Sequence, residues 1–187
     1  MNLYQITQWS HELFRLQVQE GGIYIDATMG KGRDTLFLCE MAKETGKVLA
    51  FDIQEAALSA TDRLLREQGV RNRAELYRDS HVHMDRYLPP ESADGIYFNF
   101  GYLPGGDHSL ATRGETSVKA MDVGLSLLKK KGVMALCIYS GGDTGFEERD
   151  MILKYLKQLD EKKYLVILNF FYNRQNNPPM PAFVVKK

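Results

Sequence analysis

Gly22-Ile-Tyr-Ile-Asp26-Ala-Thr-Met-Gly30-Lys-Gly32-Arg-Asp34-Thr35 reads as a short apolar strand, a glycine turn and the first residues of a helix. The strand covers Gly22 to Ala27. The helix runs from Arg33 to Glu44, with Thr35, Leu36, Leu38 and Cys39 on or near one face. Glycines at 30 and 32 let the backbone approach a ligand closely. A helix starting near Arg33 offers free N–H groups and a positive dipole end to an anion. In open parallel sheets ligands bind beyond the carboxyl ends of the strands, near the point where strand order reverses. The segment therefore speaks for both the architecture and the location of a site.

Outward from it, β-rich runs alternate with longer amphipathic ones. Val48–Asp52 reads as a second strand, followed by a helix from about Gln54 to Gln68. Ala74–Asp79 and Asp94–Phe100 are a third and a fourth strand. Glu115–Lys130 has helical spacing through Val118, Met121, Val123, Leu125 and Leu128. Val133–Tyr139 is nearly all apolar, as befits a strand buried on both faces. Phe146–Leu159 is a helix, and Tyr164–Tyr172 and Ala182–Val185 are the last strands. Alternation of this kind predicts a parallel sheet with helices on both faces. Asn173–Pro181 is too short for a crossover helix, so the final pair must be antiparallel. The expectation is an α/β fold: a mostly parallel seven-stranded sheet ending in an antiparallel hairpin. No repeat or linker splits the chain, so one domain is expected over 1–187. Leu3–Gln19 would be an N-terminal helical segment laid on the sheet edge or over the ligand.

With 187 residues the chain is long enough to bury a sizeable core. A 44% hydrophobic and 26% charged composition is ordinary for a globular protein and argues against disorder. Lys plus Arg number 24 and Asp plus Glu number 24, so the formal charge is zero. This excludes a strongly basic nucleic-acid binder but leaves room for a local basic face. Cys39 and Cys137 lie far apart with no CxxC pair, which suits free thiols in a reducing compartment. No apolar leader forms in the first twenty residues, and no stretch reaches the ~18–20 apolar residues of a membrane span. A soluble, cytoplasmic protein with no membrane partner is expected. Self-association as a homodimer stays open.

The ligand of the turn is narrowed by three details. Asp26 ends the first strand, where its carboxylate can pair with an ammonium group but would repel a pyrophosphate. The dehydrogenase pattern GxGxxG fails, because Thr35 stands where the third glycine belongs. Asp52 ends the second strand twenty residues after Gly32, where an acid can accept both ribose hydroxyls. Together these point to S-adenosylmethionine, with its methionine carboxylate at the helix start. The plain alternative is a tight turn with no ligand. Asp79-Ser80-His81 closes the third strand, where the adenine ring would lie. His81 and His83 do not form a metal site, since two-residue spacing points them to different sides and no further His or Cys cluster completes a shell. Ser80 reads equally as a helix N-cap.

At the fourth strand, Phe98-Asn99-Phe100-Gly101-Tyr102-Leu103-Pro104 resembles the Asn/Asp-Pro-Pro-Tyr motif of amino-group methyltransferases. The Asn99 amide oxygen can accept an amine N–H and aim the nitrogen lone pair at the sulfonium methyl, which is catalysis by orientation. The aromatic at Tyr102 can stack on a planar base. A glycine–proline turn serving geometry alone is the competing reading. Cys39 falls inside a helix and Cys137 inside a buried strand, so methylation of a pyrimidine carbon through a thiolate adduct is disfavoured. Loops 101–113, 140–145 and 173–181 share the reactive edge and supply His108, Thr112, Arg113, Asp143 and Arg174. Lys129-Lys130-Lys131 reads as the cationic end of a helix.

Asp26–Thr35, Phe51-Asp52-Ile-Gln54, Asp79-Ser-His81, Asn99–Asp107 and Asn176-Asn-Pro-Pro179 resemble the bacterial putative rRNA methylase family over nearly the whole chain. The resemblance implies a Rossmann-like class I methyltransferase fold binding S-adenosyl-L-methionine. Its cofactor positions fall on Asp26, Thr28, Gly30, Lys31, Gly32, Asp34, Thr35, Asp52, Gln54, Asp79, Ser80, His81 and Asn99, and its acceptor positions on Asn99 and Tyr102. Lys31 and Arg33 stand where family members usually carry Asn and His, and Ser140-Gly-Gly-Asp143 replaces a His-containing loop. The group includes tRNA methyltransferases that complete 5-methylaminomethyl-2-thiouridine, which implies N-methylation of the 5-aminomethyl group of wobble uridine 34 in the tRNA anticodon. Asp34, Asp107 and His108 are the candidates for removing the amine proton. Alternatives are an rRNA base methyltransferase, a small-molecule N- or O-methyltransferase, and a non-enzymatic cofactor-binding partner protein.

Overall fold

The structure, a computed structural model, describes residues 5–100, 114–140, 145–175 and 177–187. In chain order its elements are α1 (Ile6–Gln17), β1 (Ile23–Asp26), α2 (Arg33–Ala42), β2 (Lys47–Phe51), α3 (Glu55–Glu67), β3 (Ala74–Tyr77), β4 (Ala93–Asn99), α4 (Gly114–Leu127), β5 (Leu128–Ile138), α5 (Gly145–Gln158), β6 (Tyr164–Leu168) and β7 (Met180–Lys186). Short 3₁₀ turns at Arg71–Arg73 and His81–Arg86 flank β3. The seven strands form one sheet in the order β3-β2-β1-β4-β5-β7-β6. The first five are parallel, and β7 runs antiparallel to both of its neighbours. This is the architecture expected of the sequence. Order reverses between the parallel neighbours β1 and β4, whose onward connections to β2 and β5 leave to opposite sides and open the crevice above their carboxyl ends.

Alternating side chains on the strands divide the core. Ile25, Ile96, Phe98, Leu136 and Val184 point to the layer built with α4 and α5. Tyr24, Tyr97, Val133, Ala135 and Phe183 point to the layer with α1, α2 and Leu65 of α3. Each helix buries one stripe. In α5 it is Glu148, Ile152 and Leu156, one every fourth residue. In α4 the buried face runs through Ser117, Ala120, Met121, Gly124 and Leu125.

Three expectations need correction. The first concerns α1, expected on the sheet edge or over the ligand: it lies across the middle of the sheet, with His11 reaching Asp34 at the start of α2. Phe14 sits against Gly95 of β4 and makes edge contacts with Tyr24 and Tyr97. A methyl group on Gly95 would overlap the Phe14 ring, so the glycine is the seat of the helix.

Secondly, the lysine run does not continue α4. That helix ends at Leu127, and Lys129–Lys131 form an irregular start to β5, where pairing jumps from Ala93–Leu128 to Gly95–Val133 and Lys131 has φ 66°. Lys129 pairs with Asp94 at 2.8 Å. The cation at the end of α4 comes from β7 instead: Lys186 Nζ donates to Leu128 O at 2.7 Å and Leu125 O at 3.3 Å.

Finally, β6 stops at Leu168 instead of Tyr172. In register, residues 171 and 172 would face Pro179 and Pro178, which have no N–H to continue the ladder. Among the described residues no helix is long and apolar enough to cross a membrane.

Candidate cofactor and acceptor site

The turn after β1 is suspended from two neighbouring strands. Ala27 N donates to Tyr97 O at 2.9 Å, and Met29 N to Phe51 O at 2.9 Å. Gly30 and Gly32 take left-handed backbone, φ 52° and 81°. At Gly32 a Cβ would come within 2.7 Å of Thr61 Oγ1 and 3.0 Å of the Thr61 Cα, so position 32 demands glycine twice over. Thr61 also donates from its hydroxyl to Gly30 O at 3.3 Å. Gly32 caps α2 without a side-chain hydrogen bond, so the first-turn N–H groups of α2 carry no side-chain cap. A glycine cradle meeting an uncapped helix start fits a carboxylate-bearing ligand.

Asp26 is wholly buried beneath this turn. One carboxylate oxygen accepts Thr35 Oγ1–H at 2.6 Å and the other accepts Thr28 N–H at 3.1 Å. Burial, reinforced by the nearby Asp34 charge, pushes its pKa up to about 7. Its hydrogen bonds all return to the loop, so in this geometry Asp26 pins β1 to α2. Asp52 plays a similar part from β2: it accepts Gly30 N–H at 3.0 Å and Gln54 N–H at 2.9 Å. Its pKa is also raised by burial, against the pull of those backbone donors. Gln54 is the N-cap residue of α3 and is half-buried. Lys31 and Arg33 are exposed.

Beyond β3, Asp79 accepts from His83 Nδ1 at 2.8 Å, Ser80 N at 2.7 Å and the Tyr87 hydroxyl at 2.9 Å. The His83 bond chiefly holds its pKa down at about 2. Ser80 caps the following 3₁₀ turn, accepting Val82 N–H at 3.4 Å. The His81 ring lies 3.2 Å through Nδ1 from Ala27 O; a carbonyl only accepts, so Nδ1 carries the proton and Nε2 remains an acceptor. Burial lowers its pKa, keeping the ring neutral. His81 and His83 thus face different partners. Among the described residues no group of three or more His, Cys, Asp or Glu is placed to hold a metal ion.

Asn99 ends β4 beside the turn. Its N–H donates to Thr28 Oγ1 at 2.7 Å, and its Nδ2 donates to Asp34 Oδ2 at 2.9 Å. Because a carboxylate only accepts, this bond fixes which end of the amide faces Asp34. The other Asp34 oxygen lies 2.7 Å from His11 Nε2, on α1. His11 stacks on Phe37 at 3.9 Å with an interplanar angle of 5°. Tyr139, past the end of β5, hydrogen-bonds the Asn99 side chain and is pushed upward in pKa by burial. Tyr102, like Asp107, His108, Thr112, Arg113 and Asp143, lies outside the described residues. Both cysteines are buried, and burial pushes each thiol up to about 12. Neither supplies a thiolate near neutral pH.

A family model described as putative rRNA methylase matches residues 48–185. The chain belongs to that family. A putative rRNA methylase from Clostridium thermocellum is 40% identical, with 97% of each chain covered and a TM-score of 0.93. A putative methyltransferase from Streptococcus mutans, solved in complex with SAH, is 32% identical over 98% of each chain, with a TM-score of 0.87. The chloroplastic tRNA (mnm(5)s(2)U34)-methyltransferase of Arabidopsis thaliana is 33% identical over 156 residues, which are 78% of this chain and 57% of that protein. This member of the family is an S-adenosylmethionine-dependent methyltransferase of the RNA-methylase type with the class I fold.

Sequence reasoning singled out the turn, Asp52, His81 and Asn99 because each lies at or just beyond a strand end. It passed over three residues that shape the site: Thr61, whose side chain closes on the glycines; Tyr139; and His11. For His11 the available signal was its place three residues before Phe14, one helical turn from it.

Proposed function

We propose that this chain transfers the methyl group of S-adenosylmethionine to the 5-aminomethyl group of wobble uridine 34 in tRNA, giving 5-methylaminomethyl-(2-thio)uridine. The single observation that supports this most is the Asn99 amide at the end of β4, oriented by its Nδ2–Asp34 hydrogen bond so that Oδ1 is the atom to accept an amine N–H. The name of the Arabidopsis relative supports the acceptor.

The bound cofactor supplies an electrophilic sulfonium methyl. Uncapped N–H groups at the start of α2 and the Gly30–Gly32 cradle would hold its methionine end. Asp52, Gln54 and the Asp79–His81 segment would hold the nucleoside end. Asp26 and Thr35 keep the cradle in shape from below. The chain's own task at the acceptor is orientation: Asn99 Oδ1 accepts one amine hydrogen and turns the nitrogen lone pair towards the methyl group. The amine would attack neutral: the C–N bond forms as the methyl C–S bond breaks to leave S-adenosylhomocysteine, and one proton leaves the nitrogen. Asp34, hydrogen-bonded to Asn99, is the described acid closest in the network to that nitrogen. Tyr102 would cover the uracil ring.

Mass spectrometry of tRNA nucleosides from a deletion strain tests the reading. Loss of the methylated wobble uridine with accumulation of its aminomethyl precursor is expected, and restoration by the purified protein with S-adenosylmethionine. Persistence of the methylated nucleoside at its normal level would refute the assignment.

A further inference from the structure

Just past β6 the chain exposes aromatic rings where no ladder needs them. Phe170 is 65% exposed and Tyr172 fully so. Between them Phe171 carries the Arg174 guanidinium 4.8 Å from its ring centre. A turn, Arg174 N donating to Phe171 O at 3.1 Å, holds the arginine there and puts Tyr172 at its outer corner.

Register fixes where this corner lies. Asn99 of β4 pairs with Cys137 of β5, Cys137 pairs with Pro181 of β7, and Asn169 N donates to Pro181 O at 2.9 Å. The four residues form one row across the sheet at its reactive edge. With strands ~4.8 Å apart, residue 169 stands about 14 Å from Asn99. A nucleotide strand running from Asn99 along this edge would pass the corner. The chain's formal charge is zero, which leaves attraction to phosphate to a local basic face. Stacking adds affinity that does not depend on charge, since every base offers a face to an aromatic ring.

We propose that Phe170 and Tyr172, with Arg174 beside them, form a stacking platform for bases flanking the acceptor nucleotide. The inference rests on the reading of the substrate as RNA. Arg174 adds a cation for the backbone between the stacked bases. The position on the edge that carries Asn99 favours an RNA loop over a second copy of the chain, for which the apolar Leu165 and Ile167 face of β6 would be the more natural surface.

The test is the binding of a fluorescent anticodon stem-loop RNA to wild type, Phe170→Ala, Tyr172→Ala and Tyr172→Phe. Thermal midpoint and S-adenosylhomocysteine binding report folding, and sedimentation reports association state. Each alanine variant should raise the RNA Kd roughly ten-fold or more, while Tyr172→Phe stays near wild type. Kd values within two-fold of wild type for both alanine variants would overturn the platform. So would variants that change only the association state, which would make the corner a subunit contact. Failure of the wild type itself to bind or methylate RNA would remove the underlying reading as well, whereas active wild type with unaffected variants removes the platform alone.

Discussion

His11→Ala removes a donor that the sequence alone leaves unremarked, and its cost follows from the geometry. The ring lies 2.7 Å from Asp34 Oδ1, with side-chain exposures of 17% for His11 and 9% for Asp34. A hydrogen bond to a charged group contributes about 1.5–3 kcal/mol. Losing the 3.9 Å stack on Phe37 adds roughly 0.5–1.5 kcal/mol. The expected destabilisation is therefore about 2–4 kcal/mol. For a domain of this size that lowers Tm by roughly 5–15 °C, and it shifts the urea midpoint by about 1–2 M. A double-mutant cycle with Asp34→Ala separates the hydrogen bond from the stack. The two substitutions should couple by more than about 1 kcal/mol, because they share one interaction. His11→Gln, which places an amide N–H near the lost Nε2, should recover part of the loss. Additivity within about 0.5 kcal/mol would refute the reasoning, since His11 would then act through packing alone.

Asn99→Ala should lower kcat roughly 10²-fold or more in methylation of aminomethyl-bearing tRNA, the scale at which misplaced reactants lose rate; a loss of only a few-fold would sink the aiming role. Gly32→Ala forces a Cβ against Thr61 at a φ of 81° and should weaken S-adenosylhomocysteine binding, measured by calorimetry. Gly32→Ala in a Thr61→Gly background should bind better than Gly32→Ala alone, since the contacts with Thr61 Oγ1 and Cγ2 are gone and only the approach to the residue 61 Cα and the backbone strain remain. Asp26 has a folded pKa raised above its ordinary 3.8 to about 7, so between those values the folded state holds a proton the unfolded state has lost. Its contribution to stability is thus complete below about pH 4 and declines towards pH 7, and Asp26→Asn should flatten that part of a urea-midpoint profile. Asp79 acts in the opposite direction: its folded pKa is depressed to about 2, so its stabilisation is present above pH 4 and lost as the pH falls through 2. Asp79→Asn should remove that acid limb.

What was legible in the sequence was local. A strand-end acid, two glycines and a helix start lie within ten residues, and the reason glycine is needed at 30 and 32 is a backbone angle that any folded context would impose. The parallel sheet was equally open to reading, because β5 is apolar on both faces and the last connection is too short for a crossover. The misreadings came where distant chain supplies the answer. Lys129–Lys131 look like a helix end, yet the cation that serves α4 is Lys186, 61 residues from Leu125. His11 meets Asp34 across 23 residues, and no spacing rule connects them. β6 reads too long because Phe170-Phe171-Tyr172 have strand-forming side chains, while the limit is set by prolines on the opposite strand. Local propensity is real there, and an absent N–H overrides it.

The placement of β7 between β5 and β6 also orders events during folding. Tyr164–Leu168 precedes in the chain the strand beside which it will rest. Until Met180–Lys186 is in place, the open edge of β5 is exposed to a strand with no charged residue, and a parallel β5–β6 pairing is the available wrong choice. β7 must insert into that gap to complete the sheet, and Lys186 then fastens the end of α4. A chain cut between β6 and β7 should therefore be the form of this protein most in need of a chaperone.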